Sequence, residues 1–211
     1  MRQRLLNIFD ILLETFGERH WWPGETPLEI IVGAVLTQST SWKNVEKAIA
    51  NLKNSGLMDI DRLYEAPDDV VAEKIRSSGY YNLKTKRLKN IIKVIHDEYA
   101  SSIEQLKGKE LFMLRDKLLA VKGIGEETAD SILLYALDKP IFVIDAYTKR
   151  FLANHGLYDG KCTYVQAQEF FMSNLPTDVY LFNEYHALIV ALGQSSCFKI
   201  PKCEECQLKG A

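Results

Sequence analysis

An all-α protein is what this sequence predicts, on three observations. Apolar residues recur at i, i+3, i+4 and i+7 along most of the chain. Strand-like sequence is confined to "PIFVID" at 140–145, and six residues alone cannot make a sheet. The stretches between periodic segments are short, with no low-complexity run and no repeat. About ten helices are expected, joined by short loops.

The elements follow in order. "MRQRLLNIFDILLETFGERH" begins like a signal peptide but carries Asp10 and Glu14 inside its apolar part. With Leu5, Ile8, Phe9, Leu12 and Phe16 on one face, it reads as an amphipathic helix. The next helix is well signalled: Thr26 as N-cap, Pro27 at the first position, Glu29 to close a capping box. Leu28, Ile31, Val32, Val35 and Leu36 then form its apolar face. Residues 83–99 repeat the pattern through Leu88, Ile91, Ile92, Ile95 and Tyr99. So do 111–121, 126–137 and 180–192.

At 211 residues and 47% hydrophobic content, the chain can bury the core of one large domain or two small lobes. Charges interrupt every apolar run before it reaches membrane-spanning length. A cytoplasmic monomer without a membrane partner is therefore expected. Lys and Arg number 26 against 28 Asp and Glu, a formal charge of −2. That excludes coating nucleic acid by bulk charge but leaves a local basic face open. Three of the four cysteines (Cys197, Cys203 and Cys206, but not Cys162) crowd the C-terminal end, which suggests a metal site more than a disulfide framework.

Chemistry enters with "LRDKLLAVKGIGEETADSILLYAL" (114–137), two helices joined by Val121-Lys122-Gly123-Ile124-Gly125. Glycines at 123 and 125 permit a tight hairpin and uncover backbone N–H groups where the next helix presents its positive end. A phosphate suits such a place; a plain helical hairpin needs the same glycines. "NLKTKRLKNIIK" (82–93) adds Lys84, Lys86, Arg87, Lys89 and Lys93 without one acid. Such a run is ordinarily a solvated face, but beside this hairpin it points to a nucleic-acid backbone. Asp145 ends the apolar run at 140–145, just before a new helix. It serves as an N-cap, or as a carboxylate poised to stabilise a cation or activate water.

Hairpin "VKGIGEETA" followed by "VIDAYTKR" resembles the endonuclease III superfamily of base-excision DNA glycosylases, over nearly the whole chain. "AVLTQST" (34–40) is similar to the family segment whose glutamine, here Gln38, enters DNA where a base has left. "SGYYNLKTKRL" is similar to its glycine-tyrosine-asparagine-x-lysine stretch, and "CFKIPKCEEC" to the start of its iron–sulfur loop. The resemblance implies two helical lobes with DNA across the cleft between them: a six-helix barrel (25–136) containing the hairpin, and a lobe built from 1–24 and 137–211. It implies Asp145 as the catalytic carboxylate, duplex DNA with damaged bases as the partner, and contacts to DNA from Lys84, Lys86, Lys122, Gly123 and Gly125.

Members that also cut the strand carry a lysine four residues after the first hairpin glycine. Here that position is Glu127, which cannot form an imine, so the resemblance implies base removal by water alone. "HWWPGETP" (20–27) sets two tryptophans before the second helix, either to wedge helices together or to wait for a flat ligand. Trp22, Pro23 and Trp42 match the pocket of the small 3-methyladenine DNA glycosylases, with Trp21 adjacent and Glu127 nearby in that pattern. An alkylated purine is cationic, and indole faces attract cations by roughly 0.5–2 kcal/mol. Being a good leaving group, it needs no strong general acid, and His20 is the nearest candidate in sequence. The expected activity is excision of 3-methyladenine-type purines. The alternatives are a glycosylase for mismatched uracil or thymine or for oxidised pyrimidines, and a non-enzymatic DNA-binding module.

Cys197-x5-Cys203-x2-Cys206 departs from the family's iron–sulfur loop, whose first gap is six and which ends in a fourth cysteine. That residue would fall at position 212, and three thiolates complete neither a 4Fe–4S nor a structural zinc site. The cofactor expectation is a 4Fe–4S cluster ahead of zinc, with a loop that carries no metal as the alternative.

Overall fold

The computed structural model describes residues 1–158 and 161–209. Among these are twelve α-helices and no strand. They are α1 Arg2–Phe16, α2 Pro27–Leu36, α3 Trp42–Asn54, α4 Ile60–Glu65, α5 Asp68–Lys74, α6 Tyr81–Tyr99, α7 Ile103–Lys107, α8 Leu111–Ala120, α9 Glu126–Ser131, α10 Ala146–Asn154, α11 Tyr164–Asn174 and α12 Val179–Ser195. α9 runs on into a wider π-helical turn over Ile132–Ala136. Contacts divide the chain into two units, Trp22–Lys139 and Met1–Trp21 with Pro140–Ala211.

In the 22–139 unit, α2 is apolar nearly all round and almost wholly buried, from Leu28 through Leu36. Its start follows the sequence signal in part. Thr26 accepts from the Glu29 N–H at 3.2 Å, but Glu29 reaches back to the Glu25 N–H instead of closing the box on Thr26. α6 packs against α2, α4 and α5 with Leu88, Ile91, Ile92 and Ile95 buried. Two of its lysines tie the unit together. Lys84 is 1% exposed and its Nζ donates to the carbonyls of Leu36 (2.8 Å) and Ser78 (2.6 Å). Lys89 donates to Leu63, Tyr64 and Ala66, satisfying carbonyls at the end of α4 that its own turns leave open. Burial lowers the pKa of both ammonium groups. The two hairpin helices are pinned by a buried pair in which Arg115 grips Asp130 through Nε (2.7 Å) and a terminal nitrogen (3.1 Å). Removing either partner strands a charge out of water.

In the other unit, α12 is the central helix, buried on most sides. Tyr185 donates to the Leu5 carbonyl at 2.9 Å and joins α12 to α1. Phe142 stacks on Phe171 at 4.0 Å, with Phe182 and Tyr185 against its edges. The "PIFVID" run is buried from Ile141 to Ile144 and pairs with no strand among the described residues. Side chains of α11 stand in for a sheet: Gln168 donates to the Phe142 carbonyl (2.7 Å), and the Tyr164 hydroxyl accepts from the Ile144 N–H (3.3 Å). The run is thereby fixed up to the residue that follows it, Asp145.

Candidate active site

Asp145 is the N-cap of α10. Its Oδ1 accepts from the Thr148 N–H at 2.7 Å and from the Thr148 hydroxyl at 2.9 Å. Its Oδ2 stands 3.6 Å from Nε2 of His186 on α12. Only 14% of the Asp145 side chain is exposed, and 6% of His186. Burial pushes the carboxyl up; His186 and the Thr148 bonds outweigh it, so the group lies below the ordinary carboxylate range. Asp145 is therefore both a cap and a desolvated anion, the combination needed to stabilise a neighbouring cation. His186 had no signal in the sequence, because it is one of several polar residues in α12 and lies 41 positions from its partner.

The hairpin is built as its glycines require. Gly123 has φ +96°, and a Cβ there would lie 2.4 Å from Arg87 Cγ. Gly125 differs: its φ is −99°, and a Cβ would meet nothing within 4 Å. The carbonyls of Lys122 and Gly123 are held by the amides of Asn90 (2.9 Å) and Gln38 (3.4 Å). No side chain caps the start of α9. Lys122, Lys86 and Glu127 are exposed, Glu127 in the first turn of that helix.

One sequence expectation is overturned here, and two others gain a geometry. Lys84 cannot reach a phosphate, because it is buried and its ammonium is held by two carbonyls. Gln38 is bound to the hairpin. It donates to the Thr128 hydroxyl at 3.0 Å and to the Gly123 carbonyl, and Arg87 donates to its side-chain oxygen. Entry of Gln38 into DNA requires those bonds to break. The tryptophans form a corner, not a slot. Trp22 and Trp42 meet edge to face, centroids 5.4 Å apart and planes at 88°. A base held between two parallel faces needs roughly 7 Å, twice the contact distance of ~3.5 Å. Tyr135, missed in the sequence, lies against Trp22 at 5.3 Å and 41°. Trp21, Trp22 and Trp42 are half-buried, Pro23 is exposed, and Trp42 Nε1 donates to Glu46 at 2.8 Å. His20 is exposed on the surface beside Glu18.

Cys197, Cys203 and Cys206 line one cavity of about 250 Å³ with Asn154, His155 and Lys202. Cys197 is buried, and its Sγ accepts from Asn154 Nδ2 at 3.3 Å. Among the described residues no three His, Cys, Asp or Glu side chains are grouped to hold a single metal ion.

The chain belongs to the family described as HhH-GPD superfamily base excision DNA repair protein, matched over residues 32–177. It is 47% identical over 208 residues to "Putative DNA repair glycosylase MJ1434" of Methanocaldococcus jannaschii, covering 98% of this chain and 94% of that one. Endonuclease III of Sulfolobus acidocaldarius is 29% identical over 182 residues, 85% of this chain and 78% of the relative. Among solved structures, the H. pylori 3-methyladenine DNA glycosylase (MagIII) bound to 1,N6-ethenoadenine superposes with TM-score 0.77 at 30% identity, over 92% of this chain and 95% of that one. A non-covalent endonuclease III–DNA complex gives TM-score 0.83 at 19% identity, over 98% and 92%, a likeness of fold. Among the described residues no helix is long and apolar enough to cross a membrane.

Proposed function

We propose that this protein is a monofunctional DNA glycosylase that removes alkylated purines of the 3-methyladenine kind from duplex DNA. The observation that carries the reading is the corner made by half-buried Trp22 and Trp42 with buried Tyr135. It is supported by the 30% identity to a 3-methyladenine DNA glycosylase whose bound ligand is 1,N6-ethenoadenine. The 22–139 unit corresponds in this reading to the family's six-helix barrel, and the unit of both chain ends to its second lobe. The flipped base lies on one indole face with the second indole edge-on, and the aromatic faces favour a cationic purine over a neutral one.

The C1′–N bond breaks with its electron pair leaving on the purine, which neutralises the charge of the alkylated ring. The sugar takes on oxocarbenium character, which the Asp145 carboxylate stabilises. Water then bonds to C1′ and its proton passes to Asp145 or to solvent. Because the base leaves as a neutral molecule, no strong general acid is required. A 4Fe–4S cluster, if carried, would be held by Cys197, Cys203 and Cys206 as a structural group. Iron content and visible absorbance of the purified protein test that point.

Duplexes bearing single lesions test the function. Release of 3-methyladenine, with pyrimidine lesions and undamaged adenine left intact, is the expected result. Preferential release of uracil, thymine or an oxidised pyrimidine would overturn the substrate, and release of nothing would leave a DNA-binding module. With Glu127 in place of lysine, borohydride should trap no enzyme–DNA adduct, and nicks should appear only after alkali. Efficient trapping would identify another amine as nucleophile.

The hairpin gives a separate test. Gly125→Ala introduces a methyl group into open space, so the free protein should melt as the wild type does. If a phosphate sits against that backbone, binding to damaged and undamaged duplexes should weaken alike. Gly123→Ala, by contrast, should also destabilise the fold, because of its positive φ and the Arg87 stem. Unchanged affinity in Gly125→Ala would remove the phosphate from this turn.

A further inference from the structure

We propose that His186 is the positioning residue of the Asp145 carboxylate: it holds the group in its anionic form and in place at the start of α10, where most of its surface is buried. This rests on the reading of Asp145 given above.

The geometry is built from both sides. Thr148, 0% exposed, occupies Oδ1 with two hydrogen bonds from the same helix. Oδ2 is left to whatever α12 presents, and α12 presents the His186 ring at 3.6 Å. The approach of the two helices is close by construction. A Cβ on Gly193 would lie 2.3 Å from the Tyr147 ring, so α10 rests on α12 at a residue that only glycine can fill. Arg150 then donates to the carbonyls of Gly193 (3.1 Å) and Cys197 (2.6 Å), locking the two helices in register. His186 is two turns before Gly193, level with the first turn of α10.

The other charged groups nearby are engaged elsewhere. Arg150 is bound to those carbonyls and lies over Tyr147, and Lys149 is exposed. Glu184 accepts the backbone N–H groups of Arg19 (2.6 Å) and His20 (2.8 Å). On α1, which also packs on α12, Asp10 and Glu14 are exposed. Tyr185 donates to Leu5. Among these groups His186 is thus the one that faces Oδ2 of Asp145. Burial opposes the charge on Asp145, and the opposing influence that outweighs it comes first from His186. Without the imidazole the balance tips toward the protonated acid, which can neither stabilise an oxocarbenium ion nor accept a proton.

The test is a titration of the Asp145 carboxyl ¹³C resonance in the full chain, assigned with Asp145→Asn. Wild type is compared with His186→Gln, which keeps a donor but not a charge, and with His186→Leu. The expected result is a midpoint raised by about one pH unit or more in both variants, a tenfold or greater change in proton affinity. Thermal melting should stay close to wild type in His186→Gln. Single-turnover excision should lose its rate at correspondingly higher pH while duplex affinity is unchanged. An unmoved midpoint in His186→Gln overturns the proposal even if excision falls. A raised midpoint in a protein that excises no lesion sustains the pairing and sinks the proposed function instead. Should His186→Leu not fold, the Gln variant decides the matter by the same readout.

Discussion

Asp145→Asn should reduce single-turnover excision by about 10²–10³-fold, the usual cost of losing one preorganised electrostatic group. The amide is isosteric, still presents an oxygen to Thr148, and so preserves the cap on α10. What it lacks is a full negative charge where the sugar becomes positive. Duplex affinity should be unchanged, because in the proposed function binding rests on phosphates held by backbone N–H groups and lysines. The measurement pairs a burst of enzyme in excess over damaged duplex with a binding isotherm on the same DNA. A near wild-type rate would remove Asp145 from the mechanism. Parallel loss of rate and affinity would make it a structural cap and nothing more.

The residues that sequence reasoning placed well are those whose role is local. The N-cap at Asp145, the turn at Gly123 and the long helix 81–99 each follow from a few neighbouring residues and a period. α4, α5 and α7 did not stand out, since five to seven residues cannot complete a periodic window. The π-helical turn after α9 had no signal of its own. Lys84 is a different kind of miss, one the spacing could have corrected. It stands four, seven, eight and eleven residues before Leu88, Ile91, Ile92 and Ile95, which puts it on the buried face. Reading "NLKTKRLKNIIK" by composition spread five cations over a solvated surface; reading it by period buries one of them. Lys89 and Arg87 are likewise engaged within the protein, leaving Lys86 as the exposed cation of that helix start. Partners distant in sequence, such as His186 for Asp145 and Tyr135 for Trp22, are set by helix packing, which no local pattern records.

In the proposed function the tryptophan corner decides the substrate, and its two indoles should then respond differently to truncation. Trp22 meets Trp42 with its neighbour's plane nearly perpendicular and lies against Tyr135 on another side. Trp22→Ala therefore removes packing as well as any stacking surface, and part of the ~3–5 kcal/mol cost of deleting a core tryptophan should appear as a lower melting temperature. Trp42 is anchored by one hydrogen bond to Glu46, four residues along its own helix, and should cost less stability. If the corner holds a cationic purine, Trp42→Ala should depress 3-methyladenine excision by about tenfold or more, in line with a desolvated cation–π contact of up to ~2 kcal/mol. Excision should fall much more than duplex affinity, because the indole touches only the flipped base. Binding of the free base should weaken in step, and neutral adenine should show little dependence on either tryptophan. Thermal stability and single-turnover excision measured on the same two variants separate the roles. If Trp42→Ala lost stability as heavily as Trp22→Ala while its residual folded fraction excised at the wild-type rate, the corner would be a wedge between helices. The preference for alkylated purines over pyrimidine lesions would then lose its physical basis.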